Sequence, residues 1–149
     1  MTGQAKGHCL CRAVRFEFDQ QAGQAFHCHC ESCRRAASSP VTTWITVPTD
    51  KMRFTQGEPK YFISSPGVRR GFCGTCGSPL SYEGPVHPGF IDLYAASLEP
   101  DVIVEPAYHV YSDEQLPWFE VHDQLPRYGG STSAGKAPVR KGVRNSLVQ

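Results

Sequence analysis

No stretch of this 149-residue chain approaches the ~18 consecutive apolar residues that a membrane-spanning helix needs, which argues against a membrane as partner. The polar start, Met1 to Gly7, holds no apolar run of signal-peptide length, so the expectation is a soluble, cytoplasmic protein. Long amphipathic repeats at helical spacing are missing too. Turn residues instead recur about every eight to twelve positions, which points to a mainly β fold of short strands with few or no long helices. Acidic residues stop at Asp123: residues 127–149 carry Arg127, Lys136, Arg140, Lys141 and Arg144 and no acid, whereas residues 1–126 carry ten Lys/Arg against fourteen Asp/Glu. The net charge of +1 therefore conceals a mildly acidic body, which argues against a folded nucleic-acid binder. An even cysteine count is lacking as well. Seven cysteines cannot all pair within one chain, so metal ligation or thiol chemistry comes before disulfides.

What is present is a concentration of thiols. Phe26-His27-Cys28-His29-Cys30-Glu31-Ser32-Cys33 places three in six residues. In an extended segment residues two apart point the same way, so Cys28 and Cys30 share a face and Cys33 closes on them through the following turn. Three protein ligands and an open fourth position mark a working zinc, whereas a structural zinc is closed by four. A histidine, His27 or His29, could complete this claw, but both face away from the Cys28/Cys30 side of an extended segment.

Elsewhere, Val14, Phe16 and Phe18 alternate with Arg15 and Glu17 as in a half-buried strand, with Cys9 and Cys11 at its entrance sharing a strand face. Asp19 to Gln24 reads as a turn into the strand that delivers the claw. Val41 to Val47 is β-branched and stops at Pro48, a strand; shorter strands are expected around 52–54, 60–63, 68–72, Tyr82, 90–93 and 108–111. Arg34 to Ala37 allows one helical turn before Ser38-Ser39-Pro40 ends it. In Cys73-Gly74-Thr75-Cys76-Gly77 two glycines let the backbone turn tightly between two thiols, the form of a zinc knuckle. One folded domain is expected over residues 1–128, with a flexible basic tail over 129–149.

Seven thiols divide as four plus three: Cys9, Cys11, Cys73 and Cys76 as one closed site and Cys28, Cys30 and Cys33 as the claw. Spacing also permits a ribbon of Cys30, Cys33, Cys73 and Cys76 with the other three left over. The order of Gly7-His8-Cys9-Leu10-Cys11, Cys28-His29-Cys30-Glu31-Ser32-Cys33-Arg34-Arg35 and Phe72-Cys73-Gly74-Thr75-Cys76-Gly77-Ser78 resembles the glutathione-dependent formaldehyde-activating enzyme family, shared with centromere protein V. His109-Val110-Tyr111, Trp118 and Leu125-Pro126-Arg127-Tyr128 extend the likeness to residue 128. The resemblance implies a β-tent fold and two zinc ions, one structural on Cys9, Cys11, Cys73 and Cys76 and one labile and catalytic on Cys28, Cys30 and Cys33. It also implies carbon–sulfur lyase chemistry joining glutathione and formaldehyde as S-hydroxymethylglutathione. Where that family usually carries glycine, this chain has Arg12 and Ser38, and bulk there would suit a different substrate.

The expected partner is thus a small thiol such as glutathione, with Arg34 and Arg35 as candidate holders of its carboxylates. His109 and Trp118 are expected as packed core rather than catalytic groups. The contrasting expectation is a zinc-stabilised binding module without turnover; an exchangeable metal-trafficking or redox claw is a third.

Overall fold

The computed structural model describes residues 3–132. Most of the basic tail expected from Gly129 lies outside these residues; Gly129 and Gly130 lie within them, and their carbonyls accept backbone hydrogen bonds from Asp113 and Tyr111. Among the described residues there are ten strands and one α-helix, so the mainly β expectation holds. No helix among them is long and apolar enough to cross a membrane. Residues up to Gln24 with Trp44–Val104 form one compact unit, and Ala25–Thr43 with the described residues from Glu105 form a second.

In the first unit β1 (Gln4–His8), β2 (Arg15–Asp19) and β5 (Met52–Gln56) make an antiparallel sheet in the order β1-β2-β5. Phe16 and Phe18 turn into the core from β2 as the alternation requires, each 1% exposed. Burying such a side chain stabilises by roughly 1.5–3 kcal/mol. The polar sequence of β1 hid it, because its inward positions are Ala5 and Gly7. A Cβ at Gly7 would collide with the Phe16 ring and the Ser97 carbonyl, so only glycine lets β1 lie this close.

The same unit holds a run of antiparallel pairs, β4 (Thr42–Pro48, from Trp44 onward) with β9 (Phe90–Tyr94), β9 with β8 (Pro79–Glu83), β8 with β7 (Val68–Phe72) and β7 with β6 (Lys60–Ser65). Trp44, Ile45, Val47, Leu80, Ile91 and Leu93 fill its core, and Trp44 packs against Tyr94 with ring centroids 4.0 Å apart. In the second unit β3 (Gln24–Cys28, from Ala25 onward) pairs in parallel with β10 (Pro106–Val110), aligning His27 with His109 and Cys28 with Val110. The helix α1 (Glu31–Ala37) starts at Cys30 and ends at Ser38.

Arg12 and Ser38 both adopt left-handed backbone, with φ of 67° and 50°. Glycine is favoured at these two places for its backbone, since an L side chain there costs of order 1 kcal/mol. Ser38 caps α1 through its N–H to the carbonyls of Arg34 and Arg35.

Candidate metal centres

Cys9 follows β1, and Cys11 lies in the turn before β2 rather than on a strand face. The Arg12 N–H returns to the Cys9 carbonyl at 3.1 Å, and the left-handed Arg12 folds the two sulfurs together. Cys73 and Cys76 flank the turn between β7 and β8. There Gly77, at φ 78°, donates its N–H to the Cys73 carbonyl at 2.8 Å. The four sulfurs all lie within 4.8 Å of one another, with Cys9–Cys11 at 3.6 Å and Cys11–Cys73 at 3.8 Å. Disulfide sulfurs would be about 2.05 Å apart, while sulfurs at 2.3 Å from a tetrahedral zinc sit about 3.8 Å apart. The grouping therefore fits a metal ion.

Backbone N–H groups support negative sulfur here: Val14 donates to Cys9 Sγ, and Thr75 and Cys76 donate to Cys73 Sγ. The Cys76 amide leads the causes that hold Cys73 below its ordinary value, and bonds from Ser78 bring Cys76 down to about 5. The Ala13 amide favours the Cys11 thiolate, yet burial and the sulfurs of Cys76, Cys9 and Cys73 outweigh it and push Cys11 up to about 11. Four thiolates this close need a cation to ionise together.

In the second unit Cys28 ends β3, Cys30 caps α1 and Cys33 lies in its first turn, so three sulfurs converge from six consecutive residues. Cys28 and Cys33 are buried and Cys30 is half-buried. Cys30 Sγ accepts the Cys33 N–H at 3.3 Å, and the side chains of Cys30 and Cys33 push the Cys28 thiol far up. Among the described residues no histidine or carboxylate joins these three sulfurs within 4.8 Å. The claw is braced from outside: Arg34 Nε donates to the His29 carbonyl at 3.0 Å, the His29 N–H donates to the Val110 carbonyl, and Thr42 Oγ1 donates to the Cys28 carbonyl. Arg35 is exposed and paired with Glu31, which is also exposed. Tyr111, at φ 54°, stands where burial and then the three claw sulfurs raise its phenol above the ordinary value.

Beside the claw runs a polar chain whose members lie too far apart along the sequence to be paired from spacing. His29 Nε2 and His109 Nδ1 are 2.8 Å apart, His109 Nε2 is 2.8 Å from Asp123 Oδ2, and Arg127 Nη1 donates to Asp123 Oδ1 at 2.9 Å. His29, His109 and Arg127 are all 2% exposed or less. Burial holds both histidines below their ordinary values, His29 to about 3. Burial would raise Asp123, but the hydrogen bonds from His109, the Leu125 amide and Arg127 prevail and hold it low. His109 is thus buried as expected, whereas Trp118 is 70% exposed and meets Phe119 edge-on rather than filling a core.

The chain aligns with a crystal structure of a Rhodobacter sphaeroides protein at TM-score 0.55 and 26% identity, covering 64% of this chain and 88% of that one. It is 31% identical over 91 residues to an uncharacterised lyase of Schizosaccharomyces pombe, spanning 60% of this chain and 66% of the relative, just under two thirds of the relative's length. Residues 4–114, which contain all seven cysteines, match the sequence model of the glutathione-dependent formaldehyde-activating enzymes, and the chain belongs to that family.

Proposed function

We propose that the protein is a zinc-dependent carbon–sulfur lyase of the cytoplasm that acts on the adduct of a small thiol with an aldehyde, glutathione and formaldehyde being the pair its family suggests. The observation that carries this reading is the claw of Cys28, Cys30 and Cys33, three convergent sulfurs that no further cysteine, histidine or carboxylate joins among the described residues. Cys9, Cys11, Cys73 and Cys76 would hold a second, structural zinc. At the claw a bound zinc would supply the positive charge that keeps a substrate thiol ionised at neutral pH.

The thiol sulfur adds to the aldehyde carbon, a carbon–sulfur bond forms, and the proton released by the thiol ends on the aldehyde oxygen as a hydroxyl. In the lyase direction that bond breaks and the proton returns to sulfur. Three thiolate ligands make the site a weak activator of water and a better holder of a soft ligand, which favours thiol chemistry over hydrolysis. Arg35 is suited to a substrate carboxylate, because its exposed pair with Glu31 is worth only ~0–1 kcal/mol and is readily exchanged. Arg34 is engaged in bracing the claw.

Exchange NMR of glutathione, formaldehyde and their adduct at equilibrium tests this. The wild type should accelerate exchange in a zinc-dependent manner and Cys30→Ser should not. No acceleration, with no effect of thiol on the claw zinc, would instead favour a zinc-stabilised binding module.

A further inference from the structure

His27, His109 and Asp123 each bring one ligand atom within 4.8 Å of the others, and we infer that they form a third metal site, for a divalent first-row transition ion bound through nitrogen and oxygen. What marks the site is the set of contacts made by the remaining atoms of these side chains. A ligating histidine ordinarily gives its other ring N–H to a fixed acceptor, and a ligating carboxylate is held through its second oxygen. Here His27 Nδ1 is 2.8 Å from Thr43 Oγ1, and His109 Nδ1 is 2.8 Å from His29 Nε2. Asp123 Oδ1 accepts from the Leu125 N–H at 3.0 Å and from Arg127 Nη1 at 2.9 Å. Every outer contact that such a site needs is in place, and these contacts leave His27 Nε2, His109 Nε2 and Asp123 Oδ2 facing the task.

A purely structural network explains less. Asp123 already neutralises the buried Arg127 and accepts from His109, and neither contact requires His27. Yet β3 and β10 bring His27 into register with His109, with ring centroids 4.7 Å apart, while His27 Nε2 has no hydrogen-bond partner among the described residues. His109 Nε2 and Asp123 Oδ2 sit 2.8 Å apart. Ligand atoms on a tetrahedral ion with bonds near 2.1 Å lie about 3.4 Å apart, so the pair opens by about half an ångström on loading. His109 then carries its hydrogen on Nδ1 and donates it to His29 Nε2.

The donor set selects the ion. Two imidazoles with one carboxylate suit zinc, cobalt, nickel or ferrous iron and offer little to magnesium or calcium, which take oxygen ligands. The Arg127 guanidinium beside Asp123 weakens the pull on a cation, so this site loads after the thiolate groups. Three protein ligands leave it a position for water or another small oxygen ligand.

The metal-free full-length protein titrated with Co2+ under reducing, anaerobic conditions tests the site. Thiolate-bound cobalt gives intense near-ultraviolet charge-transfer absorption, whereas cobalt on nitrogen and oxygen adds only weaker visible bands. The expected result is a last equivalent that adds visible absorption without charge transfer and is lost in His27→Gln, with the thiolate equivalents kept. The assignment is overturned if every bound equivalent carries charge transfer, or if the nitrogen–oxygen equivalent survives in His27→Gln. Should that variant fail to fold, ring 15N shifts in the wild type decide. Both His27 and His109 Nε2 must move on the last equivalent of Zn2+, and stationary resonances overturn the site.

Discussion

Removing the Asp123 carboxylate while leaving Arg127 in place should be among the most damaging single changes in the second unit. Arg127 is 2% exposed, and its Nε is buried with no hydrogen-bond partner among the described residues. Its Nη groups reach Asp123 Oδ1, the Leu125 carbonyl and the Val121 carbonyl, so Asp123 is the anion in that set. Stripping one partner from a buried ion pair costs about 3–5 kcal/mol, because the other charge stays desolvated. The Asp123 side chain is 23% exposed, which lets water enter and places the cost near the lower end, about 3 kcal/mol. For a chain of this length that corresponds to roughly 6–12 °C in Tm. Denaturant unfolding with two equivalents of zinc per chain measures it for Asp123→Ala, Arg127→Leu and the double variant. The double variant should recover much of the loss, since no charge is then left unpaired. An Asp123→Ala cost below ~1 kcal/mol, or a double variant as unstable as the sum of the singles, would refute the reasoning. The pH dependence carries a sign. Asp123 is held below its ordinary value, so the pair contributes fully above about pH 4. Its contribution fades as pH falls through the depressed value, and wild type and Asp123→Ala converge only in acid.

Other changes separate the remaining groups. Cys73→Ser should abolish soluble expression, because a closed four-thiolate zinc is worth ~10–16 kcal/mol against a total stability of ~5–15 kcal/mol. Cys30→Ser should stay folded and lose activity; matched melting losses in the two variants would contradict this division. Asp92 is raised by burial despite the Thr46 hydroxyl 2.5 Å away. Asp92→Asn should therefore stabilise the protein at neutral pH, with the gain fading as pH falls through the raised value toward 3.8; an unchanged denaturation midpoint at pH 7 would oppose this. Ser38→Gly should be near neutral, because relief of left-handed strain offsets the entropy of glycine, while Ser38→Val should cost over ~1 kcal/mol.

Much of the fold was legible because its signals are local. Phe16 and Phe18 alternate with charged neighbours, and Val41 to Val47 is β-branched; both runs became strands. The polar β1 was invisible because its buried positions are the small Ala5 and Gly7. The claw could be read for the same reason as β2, its three sulfurs lying within six residues. Spacing left the larger thiol group ambiguous, since 62 residues separate Cys11 from Cys73 and Cys30 with Cys33 offered an equal pair. The histidine–aspartate chain left no trace in one dimension. His29 and His109 are 80 residues apart, and Asp123 lies beyond residue 114, where the family match stops. The parallel register of β3 and β10 brings the two histidine segments together, and the parallel bridge of His109 with Arg127 draws in the segment of Asp123. Glycine-like backbone at Arg12 and Ser38 was hidden for a different reason: a side chain's name does not report its φ.

The two cysteine groups also differ in when they can exist. The claw is complete once Cys33 has been made, whereas the larger group waits for Cys73 and Cys76, forty and more residues later. At ~5–20 residues per second that delay is roughly 2–8 s of synthesis. During that interval a nascent chain holds three thiols within six residues and the two earlier cysteines, Cys9 and Cys11. The first zinc to reach it has one three-sulfur seat to take, the open one. On the proposed assignment the claw would therefore fill first during synthesis and the four-thiol site second, the reverse of the affinity order proposed for the finished protein. A ribosome-arrested chain ending at Ser65 should hold a single zinc that chelators remove easily, and one holding none would break this order.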